Sequence, residues 1–197
     1  MSSGKADKWN GIYAAGEGGE SSAAKVLAEN THLLPDTGCA LDLACGRGAN
    51  ALLLARHGLD THAWDISRLA ISGLQQRAAE HGLSVLAETR DVTVVPLPAN
   101  YFDVIVVSHF LERSIVSGLI AALKEHGLVY YQTFTRDRID DSGPRNPAYR
   151  LARNELLQLF RGLEILYYRE DGLVGDTTGG FRNEAMLIAR KAAGSPA

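Results

Sequence analysis

The sequence predicts one α/β domain built on a doubly wound, mostly parallel sheet. Strand-like and helical segments alternate from about residue 21 to residue 161, and no repeat or change in composition divides the chain. The chain has 197 residues, of which 46% are hydrophobic, and this is enough for a sizeable core. Alternation of this kind implies right-handed crossovers, which place helices on both faces of the sheet.

The first half of the predicted domain alternates three helices with three strands. Pro35, Gly58 and Gly82 end the helices, because proline and glycine disfavour further helical residues. Ser67 is the expected N-cap of the third helix. In chain order the elements are a helix at 21–34, a strand at 38–44, a helix at 49–57, a strand at 59–64, a helix at 67–81 and a strand at 84–88.

The second half departs from this alternation at its end. Its predicted elements are a strand at 102–107, a helix at 114–125, a strand at 128–133, a helix at 153–161 and two strands at 163–168 and 184–189. The last two strands are joined by a loop rich in glycine, aspartate and threonine that contains no crossover helix. We therefore expect these two strands to be antiparallel.

Composition excludes several classes of function. The chain has 20 basic and 23 acidic residues, and its formal net charge of −3 attracts neither nucleic acid nor an anionic membrane surface. We therefore expect no membrane association, and any nucleic-acid partner would have to be held locally. The N-terminal residues lack the apolar core of a signal peptide, so a cytoplasmic location is expected. The two cysteines, Cys39 and Cys45, suggest neither a disulfide framework nor a metal site.

A glycine loop after the first strand carries the first functional signal. The segment 41–49 reads Leu-Asp-Leu-Ala-Cys-Gly-Arg-Gly-Ala, where Gly46 and Gly48 let the backbone approach a ligand closely. The loop also satisfies the G-x-G-x-x-(G/A) pattern of dinucleotide sites, so by itself it leaves the ligand open. Asp65 ends the second strand, where a carboxylate can accept hydrogen bonds from both ribose hydroxyls of an adenosine. Its alternative role is to cap the helix that follows Ser67.

Two further acids at strand ends favour S-adenosylmethionine over a nicotinamide dinucleotide. Asp42, inside the end of the first strand, would repel a pyrophosphate but can meet the ammonium group of a methionine moiety, directly or through water. Asp91, just beyond the third strand, can accept from the adenine amino group, and the Val92 backbone N–H can face a ring nitrogen. Acids at three successive strand ends therefore predict a single cofactor site.

Together, the segments LDLACGRG, WDIS, RDV and FDVIVVSHFLER resemble a class I S-adenosylmethionine-dependent methyltransferase over nearly the whole chain. The resemblance implies a doubly wound, mostly parallel, seven-stranded Rossmann-like sheet with an antiparallel last strand. Ala44 occupies the place where that family often has its first glycine. We expect the cofactor site to comprise Asp42, Ala44, Gly46, Gly48, Asp65, Ile66, Asp91, Val92, Ser108 and Tyr13.

Three further segments resemble the small-molecule branch of that family, which is related to tellurite-resistance and thiopurine methyltransferases. They are Trp9-Asn10-x-x-Tyr13, residues 108–111 and residues 146–149. In this interpretation Trp9 and Tyr13 fold over the cofactor. The single domain 1–197 then consists of a lid-like segment at 1–20, a core at 21–191 and a flexible tail at 192–197.

Candidates for the chemistry follow the strand ends, where the ligands of parallel sheets bind. His109 follows the fourth strand and is the expected proton acceptor if the substrate is a hydroxyl or an amine. Arg182 opens the reversed last strand at the same edge and can present a cationic fork to an anionic substrate, unless it is a solvated surface residue. In-line methyl transfer does not itself require a base from the protein.

The leading hypothesis is an S-adenosylmethionine-dependent methyltransferase that acts on a small-molecule nucleophile, such as a thiol or an oxyanion. The alternatives are a non-catalytic module that binds S-adenosylmethionine and a methyltransferase for protein or RNA. The sequence determines neither the identity of the methyl acceptor nor the oligomeric state.

Overall fold

Seven strands form one mixed sheet in the computed structural model, which describes residues 3–15 and 22–194. The strands lie in the order β3-β2-β1-β4-β5-β7-β6, and β7 runs antiparallel to both of its neighbours while the other pairs are parallel. The predicted doubly wound sheet with an antiparallel last strand is confirmed. The strands are β1 (Cys39–Leu43), β2 (Asp60–Asp65), β3 (Val85–Thr89), β4 (Phe102–Ser108), β5 (Leu123–Phe134), β6 (Glu164–Arg169) and β7 (Glu184–Arg190).

The described residues include six α-helices, which connect or flank the strands. None of them combines the length and the apolar composition that crossing a bilayer requires. Most predicted elements differ from these by a few residues at their ends, and the helix predicted at 153–161 is confined to α6. The helices are α1 (Ser3–Ala14), α2 (Lys25–Ala28), α3 (Ala49–Arg56), α4 (Arg68–Glu80), α5 (Val116–Ala122) and α6 (Glu155–Leu159), and 3₁₀ turns span Thr31–Leu33, Arg113–Ile115 and Pro147–Tyr149.

The central strand β4 shows why the sheet is covered on both faces. Val104 and Val106 pack on one face with residues of α2 and α3. Ile105 and Val107 pack on the opposite face with residues of α5 and α6. All four side chains are completely buried. A strand that is buried on both faces reads as a continuous apolar run rather than as an alternating one, which is what the sequence shows.

The helix predicted over 21–34 is wrong in length, since only α2 and a 3₁₀ turn form there. The backbone N–H of Ala24 donates to Asn50 Oδ1 at 2.9 Å, and that of Val26 donates to Gln132 Oε1 at 2.8 Å. These contacts determine where the helix begins, because the first N–H groups of a helix have no partner within it. The Asn30 side chain in turn donates to the carbonyl oxygen of Val26 at 3.0 Å.

The helix predicted over 114–125 also ends early, at Ala122, and β5 begins directly after it. Leu123 pairs with Phe102 of β4, after which the register between the two strands shifts. Gly127 makes this irregularity possible, since a Cβ there would lie 2.9 Å from a backbone oxygen of the same strand. Long-range pairing therefore overrides the local helical pattern.

The segment predicted as lid-like, 1–20, contains α1, a helix that the sequence analysis did not predict. α1 lies against α4, where the Ser67 hydroxyl donates to Asn10 Oδ1 at 2.7 Å. Parts of the segment, residues 1–2 and 16–20, lie outside the described residues. The same is true of 195–197 in the predicted flexible tail.

Ala44, directly after β1, generates the first testable prediction. Its φ of 55° is in the left-handed region, where a Cβ costs free energy. Ala44→Gly should relieve this strain and raise the free energy of unfolding by about 1 kcal/mol, measured by urea denaturation. As a control, Ala79→Gly on the exposed face of α4 should lower it by about 0.5–1 kcal/mol. A destabilised Ala44→Gly variant would contradict the strain.

Candidate functional site

The two glycines of the loop between β1 and α3 serve different purposes. Gly46 and Gly48 have φ of 52° and 74°, which favours glycine at both positions. A Cβ on Gly46 would lie 2.7 Å from the hydroxyl oxygen of Tyr13. A Cβ on Gly48 would collide with the Leu74 side chain of α4. The missing Cβ at Gly46 therefore lets Tyr13 of α1 approach the loop, whereas the missing Cβ at Gly48, predicted as a cofactor residue, allows α4 to pack against the loop.

Asp65 connects this loop to the end of β2. Its Oδ2 accepts the backbone N–H of Gly46 at 2.9 Å, and its Oδ1 accepts that of Ser67 at 2.8 Å. The residue is 7% exposed, and burial raises the pKa of the carboxyl despite these hydrogen bonds. Ser67 is the N-cap of α4, as predicted, and its hydroxyl accepts from the N–H of Ala70 at 3.3 Å. Asp65 thus has the capping contact, while its ribose role stays a prediction.

Asp42 is fully buried beneath the start of α3. Its Oδ2 accepts the backbone N–H of Ala51 at 3.0 Å, and its Oδ1 accepts from the Asn50 amide at 3.3 Å. Burial raises the pKa of Asp42 to about 7. The Asn50 amide also donates to the Ser108 hydroxyl at 2.9 Å. Sequence reasoning missed Asn50, although a polar residue inside the apolar run of α3 was a signal for it.

The adenine candidates follow the end of β3. The Asp91 carboxylate accepts from the backbone N–H and from the hydroxyl of Thr93, at 3.0 and 2.6 Å. Val92 is buried within the core, and Ile66, directly after Asp65, is half-buried. These residues lie at the same edge of the sheet as the glycine loop, because the strands that precede them are parallel neighbours.

Tyr13 brings α1 over the glycine loop. Its hydroxyl lies against Gly46, and its ring centroid is 6.1 Å from that of Trp9. Burial, together with the nearby Asp65 charge, raises the pKa of the Tyr13 hydroxyl. The described part of the predicted lid therefore covers the predicted cofactor site.

A second group of polar residues lies where β4 and β5 end and β7 begins. His109 has a φ of 51°, and its Nε2 lies 3.1 Å from Oε1 of Glu184. The Gln132 amide donates to Oε2 of Glu184 at 2.6 Å. Sequence reasoning predicted His109 but missed Glu184 and Gln132. Gln132 interrupts an apolar run in β5, and this was the one signal that pointed to it.

A cavity of about 360 Å³ opens beside these residues. Gln132 and Glu184 line it at the sheet edge, Lys25 lines it from α2, and residues 177–182 line it from the loop before β7. Nothing in the described ranges groups three or more histidine, cysteine or acidic side chains around a potential metal position. The cavity lies at the carboxyl end of β5, where the sequence predicted the chemistry.

Arg182 lies beside the cavity, but its guanidinium binds the loop that precedes β7. Its donors reach backbone oxygens at distances between 2.7 and 3.2 Å. The cationic fork predicted for an anionic methyl acceptor is therefore engaged in holding this loop. The five carbonyl groups belong to Asp171, Gly172, Val174, Asp176 and Gly179.

The family model described as "Tellurite resistance protein TehB" matches residues 22–182, which is most of the chain. The chain belongs to the TehB family. This confirms the predicted class I S-adenosylmethionine-dependent methyltransferase, and S-adenosylmethionine is the cofactor of this class.

Individual relatives of this TehB family member are distant. Hemagglutinin 1 from Eikenella corrodens is 30% identical over 135 residues, which cover 66% of this chain and 45% of that protein. A ubiquinone biosynthesis O-methyltransferase from Coxiella burnetii is 26% identical over 102 residues, covering 49% of this chain and 44% of that enzyme. The chain thus spans less than half the length of these curated relatives.

A solved structure of TehB from Haemophilus influenzae has the same fold. It matches with a TM-score of 0.71 at 23% identity, over 92% of this chain and 67% of that one.

The buried Asp42 predicts a pH dependence of stability. Its pKa of about 7 in the folded protein exceeds the value of about 3.9 for an unfolded chain, so between these limits only the folded protein holds the proton. Stability should therefore fall as the pH rises through this window. Between about pH 5 and pH 8, the free energy of unfolding should fall in the parent by about 2–3 kcal/mol more than in Asp42→Asn, which has no carboxyl group to titrate. Urea denaturation at several pH values measures this difference. Equal losses in both proteins would contradict the raised pKa.

Arg182 predicts a change in the loop at 171–180. Arg182→Ala removes charged donors to five carbonyl groups, so amide hydrogen exchange in this loop should accelerate by about tenfold or more, measured by mass spectrometry. Arg145→Ala, in an exposed position of a neighbouring loop, is the control and should leave the exchange unchanged. If Arg182 acted only on a methyl acceptor, neither substitution would alter the exchange.

Proposed function

We propose that this chain transfers a methyl group from S-adenosylmethionine to a small-molecule nucleophile by in-line displacement. One observation carries the proposal: the buried Asp65 carboxylate at the end of β2 binds the N–H of Gly46 in the glycine loop, where Tyr13 of α1 approaches the backbone closely. This contact brings an acceptor for ribose hydroxyls next to backbone that a ligand can approach closely. Membership of the TehB family supports the same assignment.

The residues at the strand ends fit the cofactor. Asp65 accepts backbone N–H groups from Gly46 and Ser67, and an ionised carboxylate has about four acceptor sites, so it keeps capacity to accept from a ribose hydroxyl. A side chain at position 46 would collide with Tyr13, which covers the loop from α1. Because Asp42 is fully buried, it would act on the methionine ammonium by electrostatic attraction and by orienting Asn50. The other residues proposed to hold the group are Ala44, Gly48, Ile66, Asp91, Val92, Ser108 and Tyr13.

The bound cofactor supplies a methyl group on a positively charged sulfur, which is a strong electrophile. The task of the chain is then to align the methyl acceptor and to exclude water. α1 covers the glycine loop through Tyr13. The cavity beside Glu184 has a volume of about 360 Å³, which is within the usual range for small-molecule sites and supports a small methyl acceptor.

Isothermal titration calorimetry tests the cofactor site. Adenosylhomocysteine should bind the parent protein and NAD should not, because the acid at Asp42 disfavours a pyrophosphate. Asp65→Ala should weaken the binding of adenosylhomocysteine by about 1.5–3 kcal/mol, the scale of hydrogen bonds to a charged group. Asp60→Ala, at the exposed opposite end of β2, is the matched control and should bind normally.

Asp65 also holds Gly46 and Ser67, so the fold of the variants has to be checked by thermal denaturation. Asp65→Asn keeps one acceptor oxygen and serves as the milder variant. Binding of NAD without a response to adenosylhomocysteine would contradict the methyltransferase. Tight binding of adenosylhomocysteine without methylation in a broad panel of acceptors would favour a non-catalytic binding module.

A further inference from the structure

Two consecutive residues at the start of β7 hold the two loops that border the cavity. The Arg182 guanidinium donates to carbonyl oxygens of the loop at 171–180. The loop at 135–150, which follows β5, is bound instead by Asn183. Ile139 of this loop lines the cavity, as do several residues of the other loop. The beginning of β7 therefore connects both loops to the cavity.

Asn183 binds the loop at 135–150 through its backbone and through its side chain. Its carbonyl oxygen accepts the N–H of Thr135 at 2.7 Å, and its Oδ1 accepts the N–H of Ile139 at 2.7 Å. Its amide donates to the Ser142 hydroxyl at 3.1 Å. Contacts at three positions of the loop thus fix this part of it relative to β7.

The backbone of Asn183 has an unusual conformation. Its φ of 66° lies in the left-handed region, which is uncommon for residues with a side chain and in which asparagine is enriched. Glycine adopts this conformation readily. The Asn183 side chain can therefore be removed by substitution with glycine without forcing the backbone to change.

Arg150 closes the same loop on itself. Its side chain is buried, with 2% of the residue exposed, and it donates to the carbonyl oxygens of Thr135 and Pro144 at 2.9 and 2.7 Å. Gly143 packs on the ring of Phe134, since a Cβ there would lie 2.5 Å from a ring carbon. The loop is thus held as a unit, and Asn183 joins this unit to the cavity edge.

The cavity adjoins the proposed cofactor site. Gln132, which lines the cavity, is the β5 partner of Ser108 in β4, and neighbouring strands are about 4.8 Å apart. Ser108 accepts from the Asn50 amide, which also contacts Asp42. A methyl acceptor in the cavity would therefore lie beside the strand end that carries Ser108.

Ile139 is the residue through which the loop contacts a ligand in the cavity. It is an apolar side chain on the cavity wall, and 46% of the residue is exposed. Its backbone N–H is bound to Asn183, so the position of Ile139 depends on that of Asn183. A wall residue in a fixed position limits the size of the ligand, because one methylene group more or less in a pocket changes discrimination by about tenfold or more.

We propose that Ile139 is a specificity-determining residue of the acceptor cavity and that Asn183 is the positioning residue that holds it there. The loop at 135–150 then limits how bulky a methyl acceptor can be. This inference rests on the methyl transfer proposed above and identifies residues that select its substrate.

The first test measures amide hydrogen exchange of Ile139 by NMR spectroscopy in the ligand-free protein. Asn183→Gly removes the acceptor of this N–H but permits the same backbone conformation, so the exchange should accelerate about tenfold or more. Exchange in the loop at 171–180 should change little, because Arg182 holds that loop. Asn100→Gly is the matched control and should leave Ile139 unchanged, since Asn100 is an exposed asparagine with a φ of 52° that precedes β4.

An unchanged exchange rate of Ile139 in Asn183→Gly would overturn the positioning role. If Asn183→Gly does not fold, Ser142→Ala replaces it. This substitution at an exposed residue removes the acceptor of the Asn183 amide, so the exchange of Ile139 should accelerate by less. No acceleration in this variant would likewise overturn the positioning role.

The second test measures the dissociation constants of 2-mercaptoethanol and of the bulkier 2-naphthalenethiol by NMR titration, with and without adenosylhomocysteine. Ile139→Ala should strengthen binding of the bulky thiol relative to the small one by about tenfold, because it removes most of a side chain from the wall. Asn183→Gly should move this ratio in the same direction. In the double variant the two effects should not add, since Asn183 acts through Ile139.

An unchanged ratio in Ile139→Ala, or failure of both thiols to bind the parent protein, would overturn the role of Ile139. Additive effects in the double variant would overturn the positioning through Asn183. Methyl transfer from labelled S-adenosylmethionine to the two thiols is assayed separately. The expected binding pattern without methylation would support the roles of Ile139 and Asn183 and count against the proposed methyl transfer.

Discussion

The rest of the site depends on the hydrogen bonds that the Asp65 carboxylate accepts from two backbone N–H groups. One oxygen holds the N–H of Gly46 and the other holds the N–H of Ser67, so one buried side chain ties the end of β2 to both the glycine loop and the start of α4. A buried carboxylate is tolerated there because each oxygen has a donor. Ser67, held in this way, binds Asn10 and so sets the position of α1. The loop, the helix and the cover over them are therefore arranged around a single acid.

Two buried amides, Asn50 and Gln132, connect the remaining polar groups into two hydrogen-bonded networks. Asn50 connects Asp42 with Ser108, whereas Gln132 connects Glu184 with the backbone of α2. Asn50 also accepts the N–H of Ala24, so the start of α2 is hydrogen-bonded to both networks. Networks of this kind stabilise one arrangement because leaving any member without a partner is costly.

The charged side chains that border the cavity differ in whether their polar groups already have partners in the protein. Arg182 is a cation beside the cavity, yet its donors shape a loop that has no regular secondary structure. Glu184 contributes a carboxylate to the same cavity. Lys25 of α2 lines the cavity as well, so charged side chains of both signs border it.

The sequence by itself determined that the core of the sheet is parallel, that its end is antiparallel, and that acids follow or end three of its strands. These follow from local signals: buried apolar runs, glycine turns and the missing crossover helix before β7. Only the tertiary structure decided the length of α2, the early start of β5 and the partners of Arg182, Asn50 and Glu184. The physical reason is that each of these depends on hydrogen bonds between residues far apart in the chain, such as Val26 with Gln132, and such partners leave no periodic trace in the sequence around either residue.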